Sequence, residues 1–177
     1  TLNAGQICLA PDYVLIPEDK LEQFISNAKE NVKDMFPKIK DNKDYTSVIN
    51  ERHYLRLTSY VKEARENGCE IIEINPADED FEQQEHYKIP PTLLINPDDD
   101  LKVMQEEIFG PILPIKTYKK FEETIDYVNK KDRPLGLYYF GRNQEELTTV
   151  LDKTTSGGVT VNDVIFHVAQ DNAPFGG

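Results

Sequence analysis

Cysteine is scarce in this chain of 177 residues: Cys8 and Cys69 are the only two, far apart and in no CxxC pair or disulfide framework. So low a count suits a reducing compartment, and a cytoplasmic location is expected. Basic residues are also few, with 20 Lys and Arg against 32 Asp and Glu, for a formal net charge of -12. Nucleic-acid binding needs clustered cations, so this balance argues against it and equally against docking on an anionic membrane. The excess acid is explained by a solvated surface and names no substrate. Apolar runs extend only a few residues, so neither a membrane span nor a secretory leader is expected. GxGxxG and Gly-rich phosphate loops are missing, which leaves no nucleotide-phosphate cradle in the sequence. Two cysteines and three histidines lack ligand spacing, so no metal site is expected. No Met precedes Thr1, a start that a fragment and a trimmed chain share.

The length fits one domain, 1–177, able to bury a real core. With 38% hydrophobic and 29% charged residues, the composition is that of an ordinary globular protein. Strand and helix patterns alternate. Tyr13 to Ile16 reads as a buried strand, and Leu21, Phe24, Ile25, Ala28, Val32 and Met35 form a helical stripe that Pro37 ends. A second helix is expected from about Ser47 to Asn67, with Tyr54, Leu57, Val61 and Ala64 inward and Gly68 as its C-terminal cap. Cys69 to Ile74 follows as a strand, then an acidic surface excursion from Pro76 to Glu85 and an extended run from Pro91 to Ile95. Ile112 to Tyr118 is a strand whose Pro114 points to an edge or irregular position. Phe121, Ile125 and Val128 mark a helix, and Gly136 to Phe140 a strand. Asn143 and Glu146 have the spacing of a capping box for a helix carrying Leu147, Val150 and Leu151. Gly157-Gly158 is expected to stop that helix ahead of a last strand, Val159 to Val161. The predicted fold is α/β: a mostly parallel sheet with helices on both faces. Such a fold serves too many chemistries to name one.

Chemistry is concentrated near the start, in Asn3-Ala4-Gly5-Gln6-Ile7-Cys8-Leu9-Ala10-Pro11. Gly5 permits a tight turn ahead of a short helical turn over Gln6 to Leu9. Backbone N–H groups there favour a thiolate and can stabilise an oxyanion formed when it attacks a carbonyl. The alternative is a buried, inert cysteine that serves as a small hydrophobe.

Asn3-x-Gly5-Gln6-x-Cys8-x-Ala10 resembles the active-site signature of the NAD(P)-dependent aldehyde dehydrogenases. Gln105-Glu106-Glu107-Ile108-Phe109-Gly110-Pro111 resembles that family's second signature, and Gly157 to Asp163 with Pro174 to Gly177 resembles its C-terminal segments. The resemblance spans Thr1 to Gly177. It implies that Cys8 is the nucleophile, that Glu107 accepts hydrogen bonds from the nicotinamide-side ribose, and that Phe109 packs near that ribose and ring. It further implies that Phe175 lines the aldehyde pocket and that Asn162 lies in a strand-end loop close to the cysteine. Cys69 has no counterpart role and reads as structural.

The stretches Cys8 to Leu15 and Asn162 to His167 are most similar to the class 3 group, which includes coniferyl and other aromatic or long-chain aldehyde dehydrogenases. What the resemblance implies is a cysteine-bearing catalytic part of a longer enzyme, whose nucleotide-binding domain, general-base Glu and oxyanion-hole Asn belong to segments not in this sequence. NAD or NADP would be held mainly by that domain, the parent would be a homo-oligomer (dimer or tetramer), and this chain alone would be inactive. A cysteine hydrolase using His53, His86 or His167 is one rival, and a non-catalytic interaction or regulatory fragment is another.

Overall fold

A computed structural model describes residues 2–82 and 84–177, with Gln83 of the acidic excursion outside the described residues. The chain divides into two compact units, 1–117 and 118–177.

The first unit is built on a four-stranded sheet. Its strands are β1 (Val14–Pro17), β2 (Glu70–Glu73), β3 (Thr92–Ile95) and β4 (Ile112–Tyr118), in the order β1-β4-β3-β2. β3 and β4 run parallel, with Leu93 opposite Leu113 and Ile95 opposite Ile115. β2 lies antiparallel to β3 at an edge. The reversal follows from the connection, because among the described residues no helix intervenes between Glu73 and Thr92 to carry the chain back for parallel pairing. On one face, Val14, Ile16, Ile72, Leu93, Ile95, Leu113 and Ile115 meet Leu21, Phe24, Ile25, Ala28 and Val32 of α1 (Leu21–Met35). Met35, expected on that stripe, is 55% exposed because it falls in the last turn of the helix. Thr92, Leu94, Ile112 and Pro114, which alternate with the α1-facing residues, are also buried, so both faces of the sheet's centre are covered.

Pro114 is not at an edge. β4 sits between β1 and β3. The Thr92 and Asn96 N–H groups donate to the carbonyls of Pro111 and Ile115 at 2.9 and 2.7 Å, so odd-numbered residues of β4 serve β3. Pro114 is an even position, and its missing N–H is withheld from the side away from that parallel ladder.

α2 (Glu51–Glu66) begins later than the hydrophobic pattern implies. Asn50 is its N-cap, and its side-chain oxygen accepts from the His53 N–H at 3.0 Å. Leu57, Tyr60, Val61 and Ala64 are its buried residues, while Tyr54 is only half-buried. At the other end Gly68 has φ +77; its N–H donates to the Arg65 carbonyl, and the Cys69 N–H to that of Ala64, both at 3.1 Å or less. These two bonds make a Schellman motif, as the glycine's place predicts.

Between α1 and α2 the chain has neither helix nor strand, yet Ile39, Tyr45 and Val48 are buried. Polar side chains hold it down. The Glu79 carboxylate accepts from the Ile39 N–H at 2.6 Å, and the buried Lys88 ammonium donates to the carbonyls of Ile39 and Asn42 at 3.1 and 2.5 Å. Burial pushes the Lys88 pKa down, with Asp41 and Glu79 opposing that shift. The Tyr45 hydroxyl donates to the Ile89 carbonyl at 2.7 Å, and burial holds its pKa far above the usual phenol value.

The second unit orders α4 (Phe121–Asn129), β5 (Gly136–Tyr139), α5 (Gln144–Lys153) and β6 (Gly158–Val161), with β5 and β6 parallel. Phe121, Ile125, Leu137, Tyr139, Leu147 and Val150 form its core. Asn143 caps α5, accepting from the N–H groups of Glu145 and Glu146 at 3.0 and 3.4 Å. The Glu146 carboxylate instead accepts the Tyr139 hydroxyl at 3.0 Å, binding the helix start to β5. Gly157-Gly158 does not stop α5, which ends at Lys153 with Thr154 as C-cap. Gly158 opens β6, and its missing Cβ leaves room for the His167 ring. The overall class is α/β with mostly parallel pairing, as expected. In the first unit, α3 (Lys102–Gln105), between β3 and β4, is a single short turn with no distinct sequence signal.

Tyr45→Phe is expected to lower stability at pH 7 by about 1–2 kcal/mol through the buried Ile89 carbonyl it leaves unpaired. The raised phenol pKa contributes stability that is fully present below the unfolded value of about 10 and is lost as pH rises through the folded value. Denaturant melts between pH 9 and 11 should therefore fall less steeply with pH for the variant than for the parent chain.

Candidate active site

The cysteine segment begins with a left-handed turn. Asn3, Ala4 and Gly5 have φ of 50, 51 and 74 in succession. Two of the three bear a Cβ, so the turn costs on the order of 1–3 kcal/mol per strained residue and persists only because its surroundings hold it. The Gln6 N–H donates to the Asn3 carbonyl, and the two side-chain amides cross-link the same residues: Asn3 Nδ2 donates to the Gln6 carbonyl and Gln6 Nε2 to the Asn3 carbonyl, all at 3.1 Å. Gln6 also reaches the strand of chain before α2, donating to the Ser47 carbonyl at 3.0 Å and accepting from the Ile49 N–H at 2.9 Å. The next turn closes from the Ala10 N–H to the Ile7 carbonyl at 2.9 Å. Ala4 and Leu9 are buried on either side, which leaves Cys8 between them exposed. Cys8 is therefore not a buried core residue.

The turn is seated on the second signature. A Cβ on Gly5 would collide with the Gly110 carbonyl oxygen, and a Cβ on Gly110 would lie 2.5 Å from Leu57 Cδ1 in the core. Gly5, Gly110 and Leu57 thus form a stack with no room for another carbon. Asp12 adds a second link, its carboxylate accepting from the Ile108 N–H at 3.0 Å. Burial raises the Asp12 pKa, the Ile108 N–H opposes that rise, and the nearby Glu107 charge adds to it.

Within the second signature the two acids differ. The Glu106 carboxylate accepts from the Tyr60 hydroxyl at 2.6 Å, so it belongs to the scaffold. The Glu107 side chain is exposed, and its main-chain carbonyl accepts from Arg56 Nη1 at 3.2 Å. Ile108 is buried, and Phe109 projects outward at 38% exposure from a backbone with φ 50. Arg56 and Tyr60 carry no motif of their own, and only their helical spacing on α2 placed them near a packed face.

Asn162 and Phe175 lie in the second unit. Asn162 has φ 57 at the end of β6, and its amide accepts from the Gly141 N–H at 2.9 Å and donates to the Gly141 carbonyl at 3.1 Å. That pair of bonds ties the ends of β5 and β6. Phe175 is 51% exposed. His167 Nδ1 shares a hydrogen bond with Thr160 Oγ1 at 2.8 Å, while its buried Nε2 has no partner among the described residues. No hydrogen bond among the described residues of the first unit joins Cys8 to His53 or His86, and no group of His, Cys, Asp and Glu among the described residues could hold a metal ion. No helix of the described residues is long and apolar enough to cross a membrane. Cys69 is half-buried just before β2, with its thiol directed at the Ile95 carbonyl at 3.4 Å; burial pushes its pKa up.

The fold is α/β, and it sets an exposed cysteine on a strained turn against a loop that presents an acid and an aromatic ring. Comparison with known proteins gives that class a name. The model of the aldehyde dehydrogenase family matches residues 1–177. A probable coniferyl aldehyde dehydrogenase of Caulobacter vibrioides is 64% identical over 177 residues, covering 100% of this chain and 36% of that protein. Aldehyde dehydrogenase family 3 member A2 of Mus musculus is 44% identical, covering 99% of this chain and 34% of that one. The substrate-bound AldH of Staphylococcus aureus superposes with a TM-score of 0.87 at 34% identity, over 98% of this chain and 36% of that one. The chain belongs to the aldehyde dehydrogenase family and spans about a third of the length of these relatives.

Two outcomes test the geometry. Gly5→Ala combines a positive φ with a backbone collision and should cost at least about 2 kcal/mol; a melting temperature equal to that of the parent chain would show that the turn is not seated on Gly110. Iodoacetamide at neutral pH should label exposed Cys8 well ahead of Cys69, whose raised pKa and partial burial leave little accessible thiolate. Peptide mass spectrometry reads the ratio, and equal labelling would contradict the placement of Cys8.

Proposed function

We propose that residues 1–177 are the cysteine-bearing catalytic part of a longer cytoplasmic, homo-oligomeric NAD(P)-dependent aldehyde dehydrogenase, with coniferyl or another aromatic or long-chain aldehyde as substrate. The observation that carries the reading is the exposed Cys8 on a turn seated against the Glu107–Gly110 loop. The substrate class rests on the likeness to the Caulobacter vibrioides protein.

The residues present suit a nicotinamide nucleotide. Glu107 offers a solvent-facing carboxylate able to accept from two ribose hydroxyls, and Phe109 offers an exposed aromatic face against which a sugar and ring can rest. When bound, NAD(P)+ supplies the hydride acceptor. The chain's own residues do the rest. The Cys8 thiolate adds to the aldehyde carbon, forming a C–S bond, and the carbonyl oxygen becomes an oxyanion that the Cys8 backbone N–H can meet. The carbon can now part with its hydrogen and the electron pair of that bond, which re-forms the carbonyl as a Cys8 thioester. Glu107 and Phe109 would hold the nucleotide that accepts that hydrogen. Water then cleaves the thioester, returning the thiol and releasing a carboxylic acid. That step needs a general base, which the family resemblance places in a segment preceding the cysteine.

Asn162 and Phe175 are assigned to the aldehyde side of the pocket. Because the Asn162 amide is spent on Gly141, its part is to shape the loop after β6, while Phe175 contributes aromatic surface.

In the longer polypeptide, Cys8→Ala should lower aldehyde-dependent NADH formation by about a thousandfold or more, since no other group forms the C–S bond. Glu107→Gln should act mainly on the KM for the nucleotide. The 177-residue chain assayed by itself should form no NADH from coniferyl aldehyde or decanal. A Cys8→Ala enzyme retaining more than about a tenth of the wild-type rate would overturn the assignment of the nucleophile.

A further inference from the structure

Glu107 and Phe109 can serve a nucleotide only if their loop keeps its shape, and that shape is one the backbone resists. Phe109 carries a bulky side chain at φ 50, in the left-handed region that such residues avoid. Side chains from outside the loop grip two consecutive peptide groups through three bonds. Arg56 Nη1 donates to the Glu107 carbonyl at 3.2 Å and Nη2 to the Ile108 carbonyl at 2.7 Å. From the cysteine side, Asp12 accepts from the Ile108 N–H at 3.0 Å. Arg56 is itself braced: Nη1 donates to the Tyr60 hydroxyl at 2.9 Å, its guanidinium lies 5.2 Å from the Tyr60 ring centroid, and Nε points at His53 Nδ1 at 3.4 Å. The Tyr60 hydroxyl donates to the carboxylate of Glu106, one residue before the gripped pair, at 2.6 Å.

From this arrangement we infer that Arg56, with Asp12 opposite it, is a positioning residue that holds Phe109 in its left-handed conformation and so sets the nucleotide-facing edge of the site. The inference rests on the proposed roles of Glu107 and Phe109. A planar fork is needed for the task, because two carbonyls on successive residues must be met at once. Lysine keeps the charge but brings one ammonium to one point. Asp12 ties the same peptide to the segment that carries Cys8, so the nucleophile and the nucleotide edge share one fixed element.

The test uses the longer polypeptide and the variants Arg56→Gln, Arg56→Lys and Ala64→Gly. Ala64→Gly weakens α2 by removing a core methyl and adding backbone freedom, without touching the loop. Hydrogen exchange, which needs no cofactor, should show the Ile108 amide, bonded to Asp12, exchanging about tenfold faster or more in Arg56→Gln, partly restored in Arg56→Lys, and unchanged in Ala64→Gly. Calorimetric titration with NAD+ should show a Kd about tenfold higher for Arg56→Gln, with the KM for aldehyde within about twofold of wild type. Unaltered exchange in a folded Arg56→Gln protein, or equal exchange and binding losses in Ala64→Gly, overturns the positioning role. If the wild-type enzyme bound neither NAD+ nor NADP+, the roles of Glu107 and Phe109 would fall, and the exchange comparison would still decide whether Arg56 holds the loop.

Discussion

The close approach of two glycines, Gly5 and Gly110, is the constraint on which the rest of the first unit depends. No Cβ fits between them, and Leu57 closes the far side of Gly110. Close packing transmits position with little slack. The turn ahead of Cys8 cannot shift without moving the Glu107–Phe109 loop, and that loop cannot shift without disturbing the α2 core. A thiol at a solvent-exposed position thereby gains a fixed location, although nothing buries it.

Strain collects around this contact. Asn3, Ala4 and Phe109 all adopt left-handed backbone conformations; Gln6 ties the first turn to Ser47 and Ile49, and Asp12 and Arg56 bond the residue before Phe109. Such conformations cost free energy locally and are kept where geometry matters for chemistry. Here they lie on the two segments that the aldehyde oxidation would use. The sheet beneath contributes burial and a rigid base, with β3 enclosed on both faces and α1 covering one of them. The long stretch between α1 and α2 is held by Glu79, Lys88 and Tyr45, so the Ser47–Ile49 anchor of Gln6 is itself secured.

Much of this was legible from residue pattern. The helical stripe from Leu21 to Val32, the cap at Gly68 and the strands at Thr92–Ile95 and Ile112–Tyr118 stand close to where periodicity put them. The departures have local physical causes. Ser47, Val48 and Ile49 are bonded to Gln6 and Tyr87, so α2 starts only after them, at the Asn50 cap. Pro114 leaves the ladder to β3 uninterrupted because its lost donor is on the other side of β4, a matter of parity that composition does not convey. Gly158 is required by the His167 ring and not by the end of a helix. Glu146 has capping-box spacing, but Tyr139 claims its carboxylate.

By itself the sequence determined the periodic elements and the α/β class. It also determined the family, through three ordered signatures that name Cys8, Glu107 and Phe109. These are properties of short segments, and residue identity and spacing suffice to express them. Only the tertiary structure decided that Cys8 is exposed between two buried neighbours, that Glu106 serves the scaffold while Glu107 faces solvent, and that Arg56 and Asp12 grip the loop between them. Those facts join residues about fifty to a hundred positions apart. Such pairings depend on which faces of α2 and the sheet meet, and no local pattern encodes that meeting.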